Sequence, residues 1–144
     1  MRLALHTDFS LRVMMFLASM EAEERATTRA LAEKFKVSEN HLHKVVQSLA
    51  RLGVIQSTAG RNGGIRLAHP AKAISVGWLI RELEGIGKLV DCTIGPCPLN
   101  PACVLKGALA RAEAAFFGAL DPVTLADVVS ERRTTSILQF MRQP

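Results

Sequence analysis

At 144 residues the chain holds one domain, or a small domain with an arm that needs a partner. A composition that is 49% hydrophobic but only 5% aromatic, with no tyrosine, fits an aliphatic helical core better than a β-sandwich. The net charge of +5 is uneven: residues 1–81 hold twelve Lys and Arg against six Asp and Glu, and residues 82–144 hold six against seven, so the basic front half fits a polyanion partner.

Near the start, the apolar stretch Leu11 to Ala18 is broken by Arg12 and follows Asp8. It is too short to span a membrane and lacks a basic lead with a cleavage site, so the expectation is a cytoplasmic protein with no membrane partner. The next readable unit is a pair of helices between Thr28 and Leu52. Thr28 is the expected cap of the first, which places Leu31 and Phe35 on one face, and Ser38 is the expected cap of the second. In the second helix Leu42, Val45, Val46, Leu49 and Leu52 form one apolar stripe, with Asn40, Lys44, Gln47 and Arg51 opposite and Gly53 as the stop. A recognition helix needs this division: one face buried, the other offering amides and cations to base edges or phosphates. Ser38 and His41 join that candidate DNA face, while His43 flanks it and is read as solvated. Leu31, Ala32, Phe35, Val37, Leu42 and Val45 match helix-turn-helix spacing, with one departure: Lys36 stands at the turn, where glycine is common.

Two β-prone runs follow, Val54 to Thr58 and Ile65 to Ala68, around the glycine-rich turn Ala59 to Gly64. They predict a hairpin with Arg61 and Asn62 at its tip, a basic wing beside the recognition helix. No GxxxxGK[ST] pattern supports a nucleotide-phosphate loop instead. A short helix is expected over Ile74 to Leu83, with Ser75 as cap and Gly85 beyond its end.

From Gly85 to Cys103 the prolines Pro96, Pro98 and Pro101 and several glycines exclude regular structure over most of a long loop. All three cysteines lie here, spaced C-x4-C-x5-C within twelve residues. An odd number so clustered, without a secretion signal, points to metal or redox chemistry rather than disulfides. Soft thiolates favour an iron–sulfur cluster, zinc or copper, although zinc sites more often show close CxxC pairs. A cubane cluster wants four ligands, so Cys92, Cys97 and Cys103 would need a fourth group. Three ordinary buried or free thiols are the plain alternative.

Asn100-Pro101 is the expected start of a helix running to about Leu120. Leu105, Leu109, Ala112, Phe116 and Ala119 recur at coiled-coil steps, which marks a dimerisation helix, with an intrachain core helix as the rival. Thr124 and Asp127 are expected to cap a last short helix, and the polar tail from Ser130 to be less ordered. No nucleophile–base constellation or nucleotide-cofactor motif is present, so the chain reads as a non-enzyme.

These segments together carry a resemblance. The opening Leu5 to Arg12, the stretch Val37 to Val46, the wing Gly60 to Leu67 and the cysteine loop ending Asn100 to Lys106 resemble the bacterial winged-helix iron–sulfur regulators. The likeness covers nearly the whole chain and is nearer to the nitric-oxide-responsive repressor branch than to the iron–sulfur biogenesis branch. The latter typically has x5 spacings and a histidine ligand three residues after the last cysteine, where this chain has Lys106. The resemblance implies a mainly α fold with a small β-hairpin wing, a winged helix-turn-helix plus a long dimerisation helix. It implies a DNA-binding domain over residues 1–84, a cluster loop over 85–103, and a dimerisation helix with tail over 104–144. It also implies a homodimer on a double-stranded operator and a 4Fe–4S cluster (a 2Fe–2S form is the alternative), with Asp8 of the partner's first helix as fourth ligand. Nitric oxide would attack the cluster and relieve repression. Asp91 and Glu84 are the other candidate ligands, and an acidic residue in a first helical turn is also favoured by the helix dipole alone. The alternative signals are iron status and thiol oxidation. A non-regulatory iron–sulfur or metal-binding protein is the alternative outside regulation.

Overall fold

A computed structural model describes residues 2–60, 63–85, 90, 92, 94, 95, 97–99 and 102–143. Helix α1 (Leu5–Ala18) is the hub, because its apolar residues point to several sides. Val13 and Met14 are fully buried, and Phe9, Phe16 and Leu17 nearly so. No side chain caps its start; instead the Ala4 amide donates to the Glu84 carboxylate at 2.8 Å. Helices α2 (Thr28–Phe35) and α3 (Glu39–Arg51) form the expected pair, though the cap of α2 is Thr27 rather than Thr28. The Thr27 hydroxyl accepts from the Ala30 amide, and that of Ser38 from the His41 amide. Lys36, the departure at the turn, has φ 54° and closes α2 in the left-handed conformation that glycine adopts at lower cost.

Strands β1 (Ile55–Thr58) and β2 (Gly64–Leu67) pair antiparallel, with Ile55 opposite Leu67 and Thr58 opposite Gly64. Glycine is required at the turn, since a Cβ on Gly63 would collide with the Thr58 carbonyl and one on Gly64 would crowd that of Ala26. Ala26 and Ile65 exchange both backbone hydrogen bonds, at 2.8 and 3.0 Å, so the segment before α2 extends the hairpin on its β2 side. After a 3-10 turn at Ala71–Ala73, helix α4 (Val76–Glu84) starts on the predicted Ser75 cap and stops at Gly85.

Helix α5 (Val104–Leu120) begins three residues later than Pro101. Cys103 is its cap, accepting from the Lys106 amide at 3.5 Å, and the expected Asn100-Pro101 start lies outside the described residues. Only Phe117 is buried along α5, so it is not the core helix that was its rival reading. Its far end is fixed to α4. Arg81 makes two hydrogen bonds to the Asp121 carboxylate, at 2.9 and 2.8 Å, and its guanidinium lies 4.0 Å from the Phe117 ring centre. Ser75 donates to the Asp121 carbonyl at 2.9 Å, and Gly77 leaves no room for a Cβ beside Leu120 and Asp121.

The tail after Ser130 is not loose. Thr124 and Asp127 form the expected capping box of α6 (Leu125–Ser130), and α7 (Arg132–Arg142) follows, capped by Glu131. Both return to the winged unit, where Leu125 and Leu138 join the same core as α1 and α3. Lys34 donates to the Met141 carbonyl at 2.6 Å, and Arg142 donates to the Ser19 carbonyl and to Glu24, each at 2.6 Å. Sequence alone pointed to a polar tail because α7 offers solvent all but one face. No helix among the described residues is long and apolar enough to cross a membrane.

Leu138→Ala removes a buried core side chain, so urea unfolding of the whole chain should show a loss of about 2–4 kcal/mol. An unchanged midpoint would mean that α7 frays without cost.

Candidate nucleic-acid interface and cysteine loop

The burial of α3 decides what its other face can do. Leu42, Val45 and Leu49 are fully buried and Val46 is 6% exposed, so the helix cannot roll about its axis. Asn40, Lys44, Gln47 and Arg51 are all exposed on the opposite side, as their spacing requires. Glu39 lies 3.5 Å from His43, a solvent-exposed i,i+4 pair. Ser38 is exposed, but its hydroxyl is engaged as the helix cap.

His41 departs from the expected DNA face. It is half-buried, its ring meets Phe9 of α1 edge-on at 5.2 Å between centres, and its Nε2 is buried with no described partner. Periodicity could not separate it from its neighbours, because it sits at the boundary between the apolar and polar faces. Of the wing, Arg66 is tied across the hairpin to Gln56 at 3.0 Å and lies 3.5 Å from Glu23. Arg61 and Asn62 lie outside the described residues. Arg25, which the sequence reading did not single out, donates to the Thr58 hydroxyl at 3.1 Å. No local pattern marks it, since its neighbour is 33 residues away.

Near the other end of α3, His6, Ser48, Arg51, Leu52, Glu82 and Leu83 line a cleft of about 270 Å³. Burial holds the His6 imidazole below its ordinary titration range, helped by the positive fields of His41 and Arg51 and opposed by Glu84.

The three cysteines are free thiols; Cys92 and Cys103 are half-buried and Cys97 is exposed. The loop joins the end of α4 to the start of α5, and Cys103 caps α5 by accepting from the Lys106 amide. Three free thiols in one segment are a donor set suited to a soft metal or an iron–sulfur cluster. Among the described residues, however, no three Cys, His, Asp or Glu side chains converge as a metal-binding group. The fit is therefore one of donor chemistry rather than of assembled geometry. Asp8 is not brought to these thiols as part of such a group. It is about 40% exposed and holds Arg12 through contacts of 2.7 and 3.1 Å. Glu84 is occupied at the start of α1 by the Ala4 amide, and Asp91 lies outside the described residues.

A family model described as Rrf2, iron-dependent transcriptional regulator, matches residues 3–131. The chain is 45% identical over 146 residues to the HTH-type transcriptional repressor NsrR of Streptomyces coelicolor, covering 100% of this chain and 99% of that protein. It is 42% identical over 135 residues to the HTH-type transcriptional regulator NsrR of Geobacillus kaustophilus, covering 92% of each. Among solved structures, CymR, the global cysteine regulator of B. subtilis, superposes with a TM-score of 0.74 at 27% identity, over 90% of this chain and 97% of that one.

The His6 environment is open to a direct check. Proton NMR should show His6 titrating below 6.5, and Arg51→Ala should move it upward by removing a positive field. Because the folded value lies below the unfolded one, this group's contribution to stability is full above pH 6.5 and is lost as pH falls through the folded value. A His6 midpoint at or above 6.5 would contradict the burial.

Proposed function

The chain belongs to the Rrf2 family of iron-dependent transcriptional regulators, and from that premise we propose that it is a repressor that binds operator DNA as a homodimer and senses nitric oxide through an iron–sulfur cluster held by Cys92, Cys97 and Cys103. The observation that carries the reading is the set of three free thiols in the segment joining α4 to α5, in a chain whose α3 turns amides and cations to solvent. The names of its relatives support repression, and the motif resemblance supports nitric oxide as the signal. Such a protein works in the cytoplasm, where its operator is.

On DNA, α3 is the recognition helix. Asn40 and Gln47 offer amides to base edges, while Lys44 and Arg51 offer charge to phosphates or guanines. Arg61 and Asn62 extend this surface from the wing, and Ser38 holds the first turn of α3 in place. His41 serves the interface from behind, as packing between α3 and α1.

Dimerisation falls to α5. Leu105 is 64% exposed and Leu109 and Phe116 are half-exposed, an apolar seam that the chain leaves uncovered. The two α5 helices of a symmetric pair would cover it and set the distance between two recognition helices.

When bound, a 4Fe–4S cluster would supply an iron site able to react with a small diatomic ligand. The three cysteines would hold it, and Asp8 of the partner would complete its ligands after releasing Arg12. An exposed i,i+4 pair of this kind is worth only about 0.5 kcal/mol, so that release is cheap. Glu84 is less suited, since binding iron would uncap α1. Carboxylate is a harder ligand than thiolate and would leave that iron more exchangeable.

The exposed Cys97 favours a second reading, in which the thiols themselves are oxidised and no cluster is used. Anaerobic purification separates the two. The cluster reading expects a coloured protein with roughly four iron and four sulfide per chain, lost in each Cys→Ala variant and altered but retained in Asp8→Ala. A colourless protein with three titratable thiols and no iron would contradict it. For the DNA face, Lys44→Ala should weaken binding to a mixed-sequence duplex and lower the log–log salt slope by about 0.9 per lost phosphate contact. Unchanged affinity and slope would move the interface elsewhere.

A further inference from the structure

The bridge between Ala26 and Ile65 sets the preceding residue, Arg25, against the wing. Its Cβ stands where a side chain on Gly64 would crowd it, and its guanidinium reaches across to Thr58 at the end of β1, 3.1 Å away. The side chain therefore lies along the hairpin where the glycine-rich turn begins, and the residue is exposed.

Its sequence neighbours look unpromising for a DNA contact, because Glu21, Glu23 and Glu24 crowd the same loop. The geometry largely removes that objection. Glu23 faces Arg66 at 3.5 Å, and Glu24 is held by Arg142 at 2.6 Å while also accepting from the Glu21 amide. Two of the three carboxylates thus have an arginine each. Arg25 itself has no carboxylate within salt-bridge distance among the described residues, and its one described partner is the neutral Thr58 hydroxyl.

An exposed, uncompensated guanidinium lying along a glycine-rich turn is suited to a phosphodiester oxygen. We propose that Arg25 is a further DNA contact, which binds a backbone phosphate from the side of the wing and is placed there by the Ala26–Ile65 bridge. The contact is independent of base sequence, as one long side chain outside the recognition helix would be. This rests on the DNA-binding reading above and adds a residue from outside the helix-turn-helix and the hairpin.

The test uses the full-length protein and a fluorescein-labelled duplex of mixed sequence, about 30 base pairs long so that it spans two half-sites. Anisotropy titrations over a salt series should show Arg25→Ala lowering the log–log slope by about 0.9 per lost contact, with Arg25→Lys keeping it. Thr58→Val removes the hydrogen bond but leaves the charge, and should leave the slope unchanged. If Arg25→Ala keeps the wild-type slope while Lys44→Ala loses its share, the DNA reading stands and this proposal falls. If Thr58→Val lowers the slope as much as Arg25→Ala, Arg25 is a strut of the wing and the proposal also falls. If neither Arg25→Ala nor Lys44→Ala changes the slope, the DNA-binding reading fails and takes this proposal with it. Circular dichroism on each variant separates these outcomes from unfolding.

Discussion

Arg81 and Asp121, 40 residues apart, meet in a two-pronged pair that joins the long helix α5 to the winged unit. Both partners are partly exposed, so their charge attraction alone adds little. The joint gains its definition from what surrounds it: Phe117 under the guanidinium, Ser75 on the Asp121 carbonyl, and Gly77 at the point of closest approach. Phe117 is the one side chain of α5 that is buried. From there to Val104 the helix runs about 20 Å with its apolar seam uncovered, and Cys103 sits at its far end. The helix is thus fastened at one end, carries an apolar seam and is tipped by a thiol. In the proposed function a second copy covers the seam and a bound group uses the thiol.

The winged unit has the opposite character. Its core is closed by α1, by the stripe of α3, by Ile65 of the wing and by Leu125 and Leu138 from the C-terminal helices. The same closure gives α3 a single orientation, so its polar face is fixed by burial rather than by anything on that face. Because α7 is clamped to Ser19, Glu24 and Lys34, the segment leading to the wing is held from the C-terminal end of the chain. The C-terminal helix therefore reaches the loop between α1 and α2, next to the Ala26 bridge that joins this loop to the wing.

Much of this was legible in the residue order, and the reasons differ by element. The α3 stripe, the Ser38 and Ser75 caps and the capping box of Thr124 and Asp127 are local chemistry, and they stand where periodicity and spacing put them. The wing was legible because two β-prone runs enclose a glycine-rich turn, and two of its glycines, Gly63 and Gly64, have no room for a Cβ. The start of α5 was displaced because Asn100-Pro101 is a strong local signal, yet the cap is a cysteine, which is rarely read as one. His41 was misplaced because a residue at the margin of an amphipathic face is decided by the neighbouring helix, here by Phe9. The order in the tail rests on Leu138 and on contacts more than 100 residues distant in sequence, which no local window contains. The cysteine loop was legible as chemistry, in three thiols and their spacing, but not as geometry. Its prolines and glycines specify no regular element, and the convergence of its thiols would depend on the group they bind.

In the proposed function, one chain couples a nitric-oxide-reactive cluster to a DNA-binding face. The most direct measurement is an anaerobic titration of the cluster-loaded protein, bound to a fragment of its own operator, with nitric oxide, following visible absorbance and DNA anisotropy in the same cuvette. Absorbance changes and release of DNA should advance together with the same stoichiometry, and Cys103→Ala should show neither. DNA that stays bound after the absorbance change is complete would contradict it.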